Sequence, residues 1–305
     1  MPNFEYSEDG ARLFSVCVEV CVFTAAPLSE AAQGYTTFHQ RFIERYGGRL
    51  KRWDTNAMKH MRPVSARTPE MLPYWLTDPR ALGEDMIGLA MHSGTADDSV
   101  DPPAFEFFHL QLDAEQPSTG ARISVPLDEV ERNPDEFVEL AVNAVADLPL
   151  RYGFAGYALS WRPESHRASS AAADWAVPLL KRHPGLALGD LLPYVMHARA
   201  GVLAVSWLTL LGASYVETLG GAQTLSAQLA HNYSTYDLNG GGTMIRAGSK
   251  PELGDVNRSD TLPHYRKLGT ALAPVQTPDE LIEKINLPVM RDEAKIQWLS
   301  RFFHD

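Results

Sequence analysis

The run Leu13 to Thr24 (LFSVCVEVCVFT) constrains the fold more than any other stretch of the chain. It is rich in valine, whose branched side chain loses freedom in a helix and packs well on a pleated surface. The run alternates around Glu19, so it reads as one long strand with at least one face buried, ended by Pro27. Cys17 and Cys21 lie four apart in it. On a strand they share a face at about 13 Å, beyond the ~7 Å Cα limit of a disulfide. They read as two buried thiols, which suits a reducing cytoplasm.

A helix is predicted next. Ser29 serves as its cap and Glu30 favours its positive end. Tyr35, Phe38, Phe42 and Tyr46 recur at spacings of three and four as a core stripe, and Gly47-Gly48 stops the helix. Residues 49–81 read as irregular and locally basic, through Arg49, Lys51, Arg52, Lys59, Arg62 and Arg67. That stretch suits either a solvated loop or an anion contact. Residues 69–76 suggest a short helix.

Strands are expected over 85–91, 105–112 and 121–126. The segment between the first two, HSGTADDSVDPP, is acidic and turn-rich, so it predicts a surface hairpin loop carrying Asp97, Asp98 and Asp101. It lacks the ligand pattern of an EF-hand. A second acidic group, Asp128, Glu129, Glu131, Asp135, Glu136 and Glu139, surrounds a helix start at Pro134, where carboxylates complement the helix dipole. Phe154 to Trp161 predicts a central strand, with Gly153 and Gly156 allowing close backbone approach. Helices follow over 170–182 and 191–197, the second capped by Asp190.

Gly201 to Gly221 (GVLAVSWLTLLGASYVETLGG) reads as a buried strand over 202–205, a turn at Ser206-Trp207, and a helix from about Leu208 ended by Gly220-Gly221. Beyond it a helix over 222–231, a hairpin around Asn239-Gly240-Gly241-Gly242, and helices from Pro263, Pro278 and Asp292 complete the pattern. Strands and helices mix without strict βαβ alternation. The fold class expected is α+β, with mixed, largely antiparallel sheets and packed helices in one unit over 1–305. The order strand, helix, hairpin strands, helix occurs in both 1–150 and 151–305. That allows a structural pseudo-repeat, although no sequence repeat supports it.

The wording SWLTLLGASYVETLGG resembles the signature of the type VI secretion immunity proteins, a bacterial family formerly labelled a domain of unknown function. Members carry Asn/Ser-Trp-Leu-Thr, a small spacer and Leu-Gly-Gly. Here these correspond to Trp207, Leu208, Gly212, Leu219, Gly220 and Gly221. GFAGYALSW (153–161) and WLSRF (298–302) are also similar to family wording, and the resemblance spans about residues 10–302. It implies a cytoplasmic protein that binds and neutralises a cognate type VI effector toxin, in this family often a nuclease-like domain with a basic surface. It also implies that the shared motif is structural and that the interface lies elsewhere.

Charge agrees with such a partner. The 305 residues carry a formal net charge of −11, unsuited to direct phosphate binding and suited to a basic protein. The acidic residues Asp97, Asp98, Asp101, Asp128, Glu129, Glu131, Asp135 and Glu136 are therefore the candidate partner-binding face. The start, MPNFEYSEDG, lacks a basic segment followed by an apolar one, so no secretory signal is expected. No apolar run reaches the roughly 18 residues of a membrane span.

Catalytic patterns are missing. The sequence has no Gly-x-Ser-x-Gly elbow, no His-Glu-x-x-His helix and no Cys-x-x-Cys pair. Gly240-Gly241-Gly242 lacks the Gly-Lys-Ser/Thr ending of a phosphate loop. The expectation is a non-enzyme with no cofactor and no metal, and self-association as a homodimer stays open. Two other readings are an effector adaptor or chaperone, and a small-molecule enzyme with a pocket near His92 and His109.

Overall fold

A computed structural model describes residues 4–97, 101–111, 117–229, 232–287, 290 and 292–304. Among these, the valine run is the centre of a 12-stranded sheet. The strands are β1 (Glu5–Glu8), β2 (Ala11–Thr24), β3 (Arg52–Thr55), β4 (Arg62–Pro63), β5 (Met86–His92), β6 (Ala104–Gln111), β7 (Pro117–Val125), β8 (Leu150–Trp161), β9 (Ala187–Gly189), β10 (Leu208–Leu211), β11 (Tyr233–Asp237) and β12 (Thr243–Ala247). Their order is β11-β12-β10-β8-β2-β7-β6-β5-β3-β4, with β1 added to β2 and β9 to β8. The pairings are antiparallel except β8 with β9. This is the α+β, largely antiparallel arrangement expected.

The central pair is β2 with β8, in register from Phe14 opposite Trp161 to Phe23 opposite Tyr152, with a shift before Thr24 opposite Leu150. Each half of the chain thus supplies one central strand followed by a helix. Outward from the centre the orders are β2-β7-β6-β5 and β8-β10-β12-β11, so the two wings are connected differently.

One sheet face is apolar. Met91, Phe105, Ile123, Val20 and Ala155 are joined by direct pairing across five strands. The Leu28–Tyr46 helix lays its aromatic stripe there, with Tyr35 edge-on to Phe107 at 5.2 Å and Phe42 against Phe105 at 5.6 Å. Burial of such rings stabilises the fold by about 1.5–3 kcal/mol each. On the other face Tyr194, from the Leu191–His197 helix, meets Phe154 at 5.1 Å.

Several local expectations shift. The strand foreseen at 202–205 lies at Leu208–Leu211, and its helix is Ala213–Thr218. Val202 makes an isolated bridge to Gln276. Residues 202–211 are buried throughout, so apolar periodicity could not choose which part joins the ladder. Gly212 fixes the break, because a Cβ there would lie 1.9 Å from the Leu150 carbonyl oxygen. The first helix begins at Leu28 after Pro27, so Ser29 falls inside its first turn and forms no cap. Residues 49–81 hold the short strands β3 and β4, and β4 is the sheet edge, where Arg62 suits an edge that must not pair further. The 170–182 helix starts earlier, at His166, because Ser165 accepts a hydrogen bond from the Ala168 N–H. Pro263–Leu272, and the Asp190 cap of Leu191–His197, are as predicted. No helix among the described residues is long and apolar enough to cross a membrane.

Candidate functional site

Backbone register assembles a polar centre on the face opposite the aromatic stripe. Asp54 pairs with Ala90, Ala90 with Glu106, Glu106 with Arg122, and Arg122 with Cys21. Directly paired residues share a face, so these side chains form one row from β3 to β2. Glu19, two residues from Cys21, shares that face. Arg122 Nη2 lies 2.6 Å from Glu106 Oε2, and Nη1 lies 3.6 Å from Glu19 Oε2. The Arg122 side chain is 5% exposed and that of Glu19 1%. Gly189 closes over them, since a Cβ there would come within 2.8 Å of Arg122 Nη1.

Burial raises the pKa of Glu19, and the Arg122 charge opposes the shift. Glu106 is raised by burial in the same way and again opposed by Arg122. Burial works against the Arg122 charge, but Glu106 and Glu19 outweigh it and hold the guanidinium protonated. Nearby Asp190 is pushed up to about 7 by burial, reinforced by the Glu106 charge.

A cleft of about 440 Å³ opens over this row. Glu106, Arg122, Ala90 and Phe108 line its floor, Met58 to Met61 one wall, and Trp161 to His166 another. Arg162 donates to Asp54 across it, and Arg162 Nε lies 3.8 Å from Glu164 Oε2. None of Asp54, Glu106, Arg122 or Arg162 is singled out by sequence motifs. The available signal was a lone Glu19 inside a strand read as buried, because a buried carboxylate calls for a cation.

The predicted acidic residues fall on two separate elements. Asp97 and Asp101 lie on the β5–β6 loop, where Asp101 pairs with Arg12 at 3.4 Å and Asp97 lies 3.7 Å from His60. Asp98 lies outside the described residues. The second group sits on the Leu127–Arg132 and Pro134–Ala144 helices, and intrachain cations meet much of it. Glu129 pairs with Arg49 at 2.5 Å and accepts from Tyr46 at 3.1 Å. Asp128 pairs with Arg132, Asp135 with Arg246, and Glu136 with Arg45. Tyr157 donates to Glu131 at 3.5 Å. Asp128 and Asp135 stay 73% and 74% exposed despite their partners.

His92 and His109 do not form a pair. His92 is opposite Ala104 and His109 opposite Ile87, five rungs apart along the hairpin, or roughly 17 Å at strand rise. An odd number of rungs also puts them on opposite faces. Both are buried. Nδ1 of His92 accepts from the Gly94 N–H, and His109 Nδ1 lies 2.7 Å from Thr119 Oγ1. Burial lowers each to about 4, so both are neutral at pH 7. Among the described residues no group of three His, Cys, Asp or Glu side chains is placed to hold a metal ion.

Most of the signature is core, while Gly220 is exposed and Gly221 half-buried. Trp207 is fully buried, stacks on Phe137 at 6.0 Å and donates to the Gly248 carbonyl. Leu208 begins β10, and Leu219 is buried. Gly220 and Gly221 hold φ of 84° and 95°, in the left-handed region that favours glycine.

In fold the chain is similar to the Pseudomonas aeruginosa T6SS protein PA0821, with a TM-score of 0.77 and 21% identity over 98% of this chain and 87% of that one. No curated protein matches in sequence. The family described as type VI immunity for VRR-NUC matches residues 32–302, which takes in Asp54, Glu106, Arg122 and Arg162 of the polar centre and the Trp207–Gly221 signature. The chain therefore belongs to the family of type VI immunity proteins for VRR-NUC.

Proposed function

We propose that this protein acts in the cytoplasm as a single unit that binds a VRR-NUC nuclease toxin delivered by type VI secretion and blocks it without a catalytic step. The family match over residues 32–302 carries this reading. A nuclease must attract phosphates and so presents basic surface. A partner with net charge −11 meets such a surface with complementary potential, which speeds encounter and rejects wrong partners. Asp97, Asp128 and Asp135 supply exposed carboxylates for that steering, with Asp98, Asp101, Glu129, Glu131 and Glu136 around them.

The test is co-expression with a VRR-NUC toxin of the same organism, followed by pull-down, size-exclusion chromatography and a nuclease assay. A stable complex in which DNA cleavage is lost is expected. A complex that still cleaves DNA would replace neutralisation by escort, and the absence of any complex would overturn the reading.

A further inference from the structure

The cleft over the β3–β5–β6–β7 row has features of a built receptor for a cation. Four carboxylates line it (Asp54, Asp97, Glu106, Glu164) against three cations (Lys59, Arg122, Arg162). The cations near the floor are already engaged, Arg122 between Glu106 and Glu19, and Arg162 between Asp54 and Glu164. Arg122 is buried to 5% exposure, and its Nη1 has no hydrogen-bond partner. Glu106 reaches both ways, touching Arg122 while 28% of its side chain remains exposed.

The surroundings are apolar. Met86 is an exposed large hydrophobic residue on the cleft's own sheet face, two residues from Gly88. Leu192 and Met196, also exposed, belong to the helix whose Val195 packs on Gly120, directly opposite Phe108. An acidic cavity beside exposed apolar side chains suits an arginine or lysine, whose methylene stem and charged head want those two environments.

We propose that this cleft anchors a basic side chain projected by the partner nuclease, with Glu106 and Glu164 receiving its charge and Met86, Phe108, Leu192 and Met196 covering its stem and neighbours. The inference rests on the reading of the protein as a nuclease-binding immunity protein. It adds that affinity resides in the cleft, while the outer acidic helices govern approach. Buried anchors carry most of an interface's affinity and act chiefly on dissociation, whereas rim charges act on association.

The experiment measures association and dissociation rates between the full chain and a catalytically inactive form of the VRR-NUC toxin it binds. Ala90→Phe fills the cleft without removing a charge, and Glu164→Lys reverses a rim carboxylate that is 74% exposed. Circular dichroism and thermal melting confirm that each variant is folded. Both are expected to raise the dissociation rate about tenfold or more. Pairing Glu164→Lys with each arginine or lysine substitution in the toxin should reveal one residue whose loss is non-additive. If the wild-type chain binds and both folded cleft variants dissociate at its rate, the cleft is not the anchor and the immunity reading survives. If the wild-type chain does not bind, that reading fails and the inference with it.

Discussion

Glu19 and Arg122 meet at 3.6 Å in the interior of the sheet, and neither Glu19 oxygen finds a hydrogen-bond donor. Arg122 is the cation between buried Glu19 and half-buried Glu106, so its loss strands both. Arg122→Met should therefore destabilise by about 3–5 kcal/mol, the cost of leaving buried charge uncompensated. Glu19→Gln removes a charge that burial already disfavours and should cost less than about 2 kcal/mol. Urea denaturation at pH 7 compares the two.

Asp190 gives the protein a pH dependence of definite sign. Its folded pKa, about 7, lies above the ordinary carboxylate value. The folded state therefore holds a proton that the unfolded state has released. This contribution is full below about pH 4 and is lost as pH rises through 7. Asp190→Asn keeps the cap on the Leu192 N–H and removes the titration. The difference in Tm, variant minus wild type, should grow as pH is raised from 4 to 8, by the equivalent of a few kcal/mol at most.

His39 acts in the opposite direction. It is buried against the Phe105 ring at 4.8 Å, and burial lowers it to about 4. Here the unfolded state binds the extra proton, so stability falls as pH drops from about 6.5 toward 4. His39→Leu should cost about 1 kcal/mol at pH 8 through the lost ring contact, and it should flatten the acid limb of a Tm-against-pH curve.

Two glycines of the family signature should fail for different reasons. A Cβ on Gly212 collides with the Leu150 carbonyl, whereas one on Gly221 meets nothing within 4 Å and suffers only its φ of 95°. Gly212→Ala should cost about 3 kcal/mol through overpacking against backbone, and Gly221→Ala about 1–2 kcal/mol. Trp207→Ala, in the same motif, should cost about 3–5 kcal/mol. Chemical denaturation measures all three, and any loss of protection against the toxin should track the loss of folded protein.

Asp135 pairs with Arg246 at 2.6 Å yet is largely exposed. Asp135→Lys should change stability by less than about 1 kcal/mol. Under the proposed function it should slow association with the toxin, with an effect that fades as salt screens it. Stopped-flow measurements at two ionic strengths check this.

Local chemistry made much of the fold legible. The Pro263–Leu272 helix was readable because proline suits a first turn and the apolar spacing continues to Leu272. The β11–β12 hairpin followed from its glycine turn. The strand near residue 208 was misplaced because every position from 202 to 211 is buried, which erases the alternation that marks a ladder. Ser206 packs there against Gly156, where a Cβ would lie 2.2 Å from its Oγ, and that contact spans distant parts of the chain. The cleft was illegible for the same reason: Asp54, Glu106, Arg122 and Arg162 come from four strands or strand ends that only register brings together. The acidic helix start was visible in sequence, but the arginines that meet it were not.

The β2–β8 pairing also sets a schedule. The Cys17 thiol and the Ala158 carbonyl it approaches are 141 residues apart. At a ribosome's pace of about 5–20 residues per second, roughly ten to thirty seconds separate their synthesis. Throughout that interval the central strand has no second central strand to close the sheet, and long-range pairing of this kind forms slowly even once both are made. A cell struck by the toxin is therefore guarded by chains finished before the attack rather than by those still on the ribosome.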